Sequence, residues 1–388
     1  MNSYGLLIMQ LAIKQKYSAI FAIGLLSLLT SCNYTTITTS YTSSDPPPGS
    51  FSQTYTASLT AGEIIALGVD TTTMTYTFKI LLSSYYSSGK KGVGQMTSQN
   101  ADGSFNLAAS PDGFIQGGKI YVVQNGTLSG YITTTSSTGN FNVPVFGTSS
   151  PITSLNNLPD TFNYVSLSCP TRPGGNYQVA TPGCTSDYGT IKINADNTYI
   201  RCSKQDLTTI TPCSSQTSGT LSVAQSQDTS TTTLAGIFNL TPTGSATNSA
   251  WIFGYTATNG RKVAVIGFND SRSGGYGFGQ AVLVSQVTVS VSDITGEYSL
   301  FNLIDGEKTT KLQGTTYSST TTTAVGSATG SINPNSPWTG MVSWADSGGS
   351  TNGNALITGT GVYVSQKAVA SISYLLTNKW YELGIKPY

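Results

Sequence analysis

The chain has 388 residues and a formal net charge of +1. Its charged residues amount to 9%, against roughly 25% in ordinary soluble domains. So weak a field excludes nucleic acid as an expected partner, and the absence of any histidine excludes Ser-His-Asp and Cys-His catalysis and histidine metal sites.

At the N-terminus, Lys14 and Lys16 precede an uncharged, mostly apolar run from Ser18 to Leu29 that ends in small residues. That is the layout of a secretory signal. A dozen residues cannot span about 30 Å of hydrocarbon as a helix, which takes roughly 20, so residues 1–31 are expected to be removed. Met1 to Ile13 is long for such a leader, and Met9 offers an alternative start.

The run closes with Leu29-Thr30-Ser31-Cys32, which resembles the lipobox of bacterial lipoproteins. The resemblance implies cleavage before Cys32 and a diacylglycerol thioether on its sulfur. Its palmitate-type chains would attach the protein to a membrane at about 0.8 kcal/mol per buried methylene. Asn33 stands where an aspartate favours retention in the inner membrane, so the resemblance implies the outer membrane. Without residues 1–31, 16 basic side chains face 17 acidic ones, a net charge of −1.

From Cys32 to Gln53 the chain is rich in Ser and Thr and is interrupted by Pro46-Pro47-Pro48, with no apolar period to bury. It reads as a lipidated cysteine followed by a flexible tether. Beyond it, short Val, Ile, Tyr, Phe and Thr runs alternate with polar residues between Gly, Asn and Asp turns. Tyr188 to Ile200 predicts a hairpin turning at Ala195-Asp196-Asn197, and Lys119–Ile132, Trp251–Phe268 and Ala355–Gln366 predict strand-turn-strand units. No segment from Ser50 to Ala368 carries a sustained helical period. The body is therefore expected to be all-β, built of antiparallel meanders that form up-and-down barrels, with tandem β-sandwiches as the alternative.

Three units are expected, at 54–158, 159–291 and 292–388. Gly103-Ser104-Phe105-Asn106-Leu107 returns as Gly236-Ile237-Phe238-Asn239-Leu240 and more loosely as Gly139-Asn140-Phe141-Asn142-Val143. Tyr121-Val122-Val123-Gln124, Leu283-Val284-Ser285-Gln286 and Tyr363-Val364-Ser365-Gln366 make a second echo. Convergent β composition would also produce such echoes. The middle unit holds roughly eight strand candidates, enough to close a barrel. The third opens Gly296-Glu297-Tyr298, which resembles the opening of lipocalin- and avidin-like barrels and implies a related closed barrel. Val369 to Tyr388 fits a closing strand or a short helix.

Cys169, Cys184, Cys202 and Cys213 cluster in the middle unit, an even set that predicts two disulfides in an exported protein. All three pairings remain open, with Cys169–Cys184 and Cys202–Cys213 preferred because each pair brackets a polar, turn-rich loop. A four-thiolate zinc site would need closer cysteine pairs. Most carboxylates precede Gly or Asn, as at Asp102, Asp112, Asp196 and Asp305, and read as turn caps. Glu63, Glu297 and Asp346 lie nearer apolar residues and are candidates for a buried pair of the glycosidase type. Asn100 with Asp102, and Asp187 with Asp196, are conceivable calcium ligands, although no acidic stretch has EF-hand spacing.

Gly267 to Gly279 reads as a long hairpin loop with Asp270 and Arg272 paired, or as a recognition loop. Tyr85, Tyr86, Tyr276 and Trp338 join Asp270 and Arg272 as possible ligand contacts, since aromatic faces with polar edges suit sugars or apolar pockets. These features give the expected function: a membrane-anchored, non-enzymatic envelope lipoprotein with a binding or structural role. Its partners would be the membrane and a small apolar or saccharide ligand, or a surface contact, with no cofactor. A carboxylate-based carbohydrate hydrolase is the alternative.

Overall fold

The structure, a computed structural model, describes residues 52–386 except 84–85, 124–125, 137–138, 170–184, 210–211, 228–231, 246–249, 273–274, 303–305, 322–326, 349–351, 358–361 and 369–380. Cys32 and the tether up to residue 51 lie outside the described residues. Elsewhere the alternation seen in the sequence is realised as strands. In Thr75–Leu82 the residues Tyr76, Phe78, Ile80 and Leu82 are buried while Thr77 and Lys79 between them face water, the period of a half-buried strand.

Among the described residues, twenty-four strands form three antiparallel, eight-stranded meanders. The first is β1 (Ser52–Leu59), β2 (Ile64–Asp70), β3 (Thr75–Leu82), β4 (Lys91–Gln95), β5 (Ser104–Leu107), β6 (Ile115–Val123), β7 (Thr127–Ser136) and β8 (Gly139–Thr148). The second is β9 (Asp160–Cys169), β10 (Thr185–Ile193), β11 (Thr198–Ser203), β12 (Gln216–Gln225), β13 (Thr233–Pro242), β14 (Ala250–Thr256), β15 (Lys262–Arg272) and β16 (Gly275–Ser285). The third is β17 (Gly296–Asn302), β18 (Gly306–Gln313), β19 (Thr316–Thr321), β20 (Ser327–Pro334), β21 (Val342–Asp346), β22 (Asn352–Ile357), β23 (Val362–Ala368) and β24 (Tyr381–Ile385).

Barrels 2 and 3 close through the β9–β16 and β17–β24 ladders. Barrel 1 is nearly closed: β1 pairs β8, and its remaining gap between β4 and β5 is spanned by the Met96–Leu107 bridge. The predicted hairpin at 195–197 is present, with Asn197 at φ 63° and the Asp196 carboxylate accepting from the Thr198 amide. The C-terminal ambiguity resolves at Tyr381–Ile385 as the closing strand.

Interior side chains fill the barrels. In barrel 2, Phe162, Tyr164, Ile191, Ile193, Phe238 and Ile252 belong to one buried cluster, which Leu158 seals just after a 3-10 turn at Leu155–Asn157. Barrel 3 repeats the device: Ile294, at the end of helix α1 (Val291–Ile294), is fully buried, and the Tyr298 hydroxyl donates to its carbonyl at 2.9 Å.

The register reveals a repeat that sequence echoes only partly found. Tyr76, Tyr199 and Tyr317 are each the second residue of the third strand of their barrel, and each stands opposite a glycine on the fourth: Gly94, Gly219 and Gly330. A Cβ on these glycines would fall 2.3–2.7 Å from the facing ring, so each ring lies across its glycine as a flat plug. At the fifth strand, Gly103 just before β5, Gly236 within β13 and Gly340 two residues before β21 share φ near 80°, a left-handed turn that admits glycine without strain. Each precedes two inward residues: Phe105 and Leu107, Phe238 and Leu240, Val342 and Trp344. The Gly103 and Gly236 echo thus marks equivalent strands. The Gly139 echo and the Val-Gln echo fall on strands of different rank and mark none.

The three barrels belong to one compact unit. The interior of barrel 1 merges with outward residues of barrel 2 (Val165, Trp251, Phe253, Val263, Val265) and of barrel 3 (Met341, Leu356, Val364) in a single buried cluster.

Candidate functional site

The inner end of barrel 2 opposite Leu158 carries a polar network. Strand alternation turns Tyr164, Asp187, Arg201 and Ser203 inward from three adjacent strands. The Asp187 carboxylate accepts from the Tyr164 hydroxyl at 2.7 Å, the Ser203 hydroxyl at 2.8 Å and the Arg201 guanidinium at 3.0 Å. Arg201 also covers the Tyr164 ring at 4.6 Å. Burial raises the Tyr164 hydroxyl well above the ordinary phenol range, and the Arg201 charge only partly offsets this. With its carboxylate consumed by three donors, the network is a polar stopper in the barrel end.

A second network lies between barrels 1 and 3. Lys119, outward on β6, reaches Asp102 and Glu307 at 2.8 Å each. Tyr121 donates to Asp102 at 3.1 Å and Tyr131 to Glu307 at 3.1 Å. The Tyr131 ring stacks on Phe301 with centroids 4.4 Å apart. Burial, then the Glu307 charge, pushes the Tyr131 hydroxyl up to about 12. Burial would raise Asp102, but hydrogen bonds from Lys119 and Ser104 and the Lys119 charge outweigh it and hold the carboxyl below its usual range. The cation that Asp102 holds is therefore a lysine.

The candidate carboxylates are not brought together. Glu63 is fully buried in the β1–β2 turn of barrel 1, where the Ser83 hydroxyl donates to it at 3.4 Å. In barrel 3, Asp346 faces inward and accepts from the Tyr317 hydroxyl, whereas Glu297 points outward because its neighbour Tyr298 is inside. Two carboxylates on opposite faces of a wall do not flank one bond. Beside Asp346, the buried indole N–H of Trp344 has no hydrogen-bond partner. Asp187 and Asp196 stand at opposite ends of β10. Among the described residues no group of three or more Cys, Asp or Glu could hold a metal ion.

The expected contact residues separate. Trp338 lies on the β20–β21 connection, but its ring is half-buried, not turned to solvent. It stacks on Tyr188 of barrel 2 at 5.8 Å and its N–H donates to Asn163 at 2.7 Å. Tyr86 is half-buried as well, edge-on to Phe114 at 4.9 Å, with its hydroxyl bonded to the Thr135 carbonyl at 3.2 Å. Tyr85 lies outside the described residues, as do the side chains of Asp270, Arg272 and Tyr276. Their backbone corrects the loop expectation: the pairs Asp270–Gly277, Ser271–Tyr276 and Arg272–Gly275 continue the β15–β16 ladder, leaving a two-residue connection. Glycines serve there as strand residues.

Cys202 and Cys213 form a disulfide with Cα atoms 6.0 Å apart, stapling the β11–β12 connection. Cys169 ends β9, while its side chain and Cys184 lie outside the described residues. In comparisons with known proteins, no protein-family model and no curated sequence matches this chain. The fold itself defines the class: a tandem array of three up-and-down β-barrels.

Proposed function

We propose that the chain is a lipid-anchored, non-enzymatic protein of the bacterial cell envelope, carried on the outer membrane through Cys32. Its three-barrel body serves as a stiff module that binds or spaces at the surface. The observation that supports the non-enzymatic part is the separation of Glu63, Glu297 and Asp346, which do not face one another as the carboxylates of a glycoside hydrolase do. The barrel interiors, filled by their own Tyr and Phe rings, favour a role for the outer surface over a ligand held in the lumen. Anchoring rests on the lipobox and the Ser/Thr/Pro tether behind it.

Full-length protein expressed in a bacterial host with labelled palmitate is expected to take up label and sediment with membranes, and Cys32→Ser to do neither while its body stays folded. Label and sedimentation that persist in Cys32→Ser would overturn anchoring. Turnover in a glycosidase and esterase panel, lost in Glu63→Gln or Glu297→Gln at unchanged melting temperature, would establish the hydrolase instead.

A further inference from the structure

Barrel 1 keeps a seam between β4 and β5, and the β4 side of it has free backbone groups. The β3–β4 ladder makes its hydrogen bonds at even-numbered residues: the Ile80 amide donates to the Lys90 carbonyl at 2.8 Å and the Met96 amide to the Met74 carbonyl at 2.8 Å, with Tyr76–Gly94 and Phe78–Gly92 between them in register. Antiparallel pairing alternates, so Lys91, Val93 and Gln95 turn their amides and carbonyls toward the seam. There the Gln95 carbonyl accepts from the Ala108 amide at 2.9 Å, next to the Met96–Leu107 bridge.

From Gln95 back to the start of β4, no strand pairs this edge. Among the described residues, the amides and carbonyls of Lys91 and Val93 have no partner. The turn that crosses the seam at 108–114 satisfies its own groups instead. The Ser110 amide donates to the Ile115 carbonyl at 2.7 Å, and the Asp112 carboxylate accepts from the Ser110 hydroxyl at 2.6 Å and pairs with Lys90 at 3.5 Å.

The outward face of this edge carries the specificity. Val93 is 51% exposed, the most exposed large apolar side chain among the described residues. Two residues away, Lys91 is exposed, makes no ion pair with a described residue and stands opposite Lys79 of β3. Like charges directly opposite destabilise a strand pair, and a carboxylate on a strand added beside β4 would offset that. The same lysines disfavour a second copy of β4 as the occupant, since edge pairing would gather the lysines of both copies. We propose that the β4 edge binds an extended acidic segment of a partner protein, which adds as a strand through its backbone, with a carboxylate beside Lys91 and an apolar side chain on Val93. The proposal rests on the surface-binding role above and names its place and partner class.

The test is fluorescence polarisation of the full chain with a labelled peptide, Ser-Glu-Thr-Val-Thr-Glu-Ser, whose Glu and Val share one face in either direction, and with its Lys-for-Glu counterpart. Saturable binding of the acidic peptide is expected. Lys91→Gln should weaken it about fivefold, the worth of one exposed ion pair. Val93→Pro should weaken it at least roughly tenfold at unchanged melting temperature, because proline deletes an edge amide that the β3 ladder does not use. Should Val93→Pro melt early, the natural chain with a peptide N-methylated at its Val decides, and the same loss is expected. No saturable binding of the acidic peptide, equal binding of the lysine peptide, or binding that N-methylation leaves intact would overturn the site while leaving anchoring through Cys32 untouched.

Discussion

Lys119 shows how much one side chain carries in a body with few charges. It is 14% exposed between two carboxylates that are each 32% exposed, so removing it leaves Asp102 and Glu307 half-buried without their shared cation. Breaking a fully buried pair costs about 3–5 kcal/mol. Solvent at the carboxylates lowers the expectation for Lys119→Met to about 2 kcal/mol, read from the urea midpoint, with Glu307→Gln in the same chain recovering part of it. A loss below about 0.5 kcal/mol would show the seam to be held by the Tyr131–Phe301 stack alone.

The same site sets an acid limit. The Asp102 carboxyl is lower in the folded state than its unfolded value of about 3.9. Its stabilisation is therefore complete above about pH 4 and is lost as pH falls through the folded value. Stability measured between pH 6 and 2 should fall less steeply in Asp102→Asn than in the natural chain, and equal slopes would contradict the assignment.

At the scale of the strand pair, the tyrosine laid over a glycine is the recurring unit. A Cβ at Gly330 would lie 2.4 Å from the Tyr317 ring and 2.1 Å from the Ala345 carbonyl, and at Gly219 it would lie 2.7 Å from Tyr199 and 2.1 Å from the Thr241 carbonyl. Overpacking of this kind costs about 1–3 kcal/mol, so Gly219→Ala and Gly330→Ala should each lower the melting temperature clearly. Gly314 has open space around it at φ +63°, and Gly314→Ala should cost only about 1 kcal/mol of backbone strain. Equal effects at all three positions would mean that ring packing contributes nothing.

These pairs also show why the repeat was hard to read. The local sequence around Tyr76, Tyr199 and Tyr317 shares little beyond the preceding threonine. The equivalence lies in which residue stands opposite, across a turn of variable length. The one echo that held, Gly103 and Gly236, was legible because a left-handed glycine and the two inward residues after it lie within five residues of sequence. Trp338 was misjudged for the complementary reason: its Pro-flanked loop is visible in sequence, but Tyr188 and Asn163 beneath it are not.

At the scale of the molecule, the buried cluster that joins barrel 1 to the outer faces of barrels 2 and 3 makes separate unfolding unfavourable. Residues 159–291 alone would expose Val165, Phe253, Val263 and Val265 to water, a patch that invites aggregation. Calorimetry of the whole chain is expected to show one cooperative transition, and three resolved transitions would refute the coupling.

By itself, the sequence determined the secondary structure: period-two alternation, turn residues such as Asp196-Asn197 and the absence of helical period are local properties, and they decided an all-β body of short antiparallel strands. The eight-strand count of the middle unit and the Cys202–Cys213 pairing were within reach on the same basis. Only the tertiary structure decided which polar groups meet. Lys119 and Glu307 are 188 residues apart, and Gln227 meets the Ser83 amide across 144 residues because barrels 1 and 2 touch along those walls. Barrel closure fixes which face of each strand looks inward, but the docking of one barrel on another depends on the summed fit of many outward side chains. No local pattern records that fit.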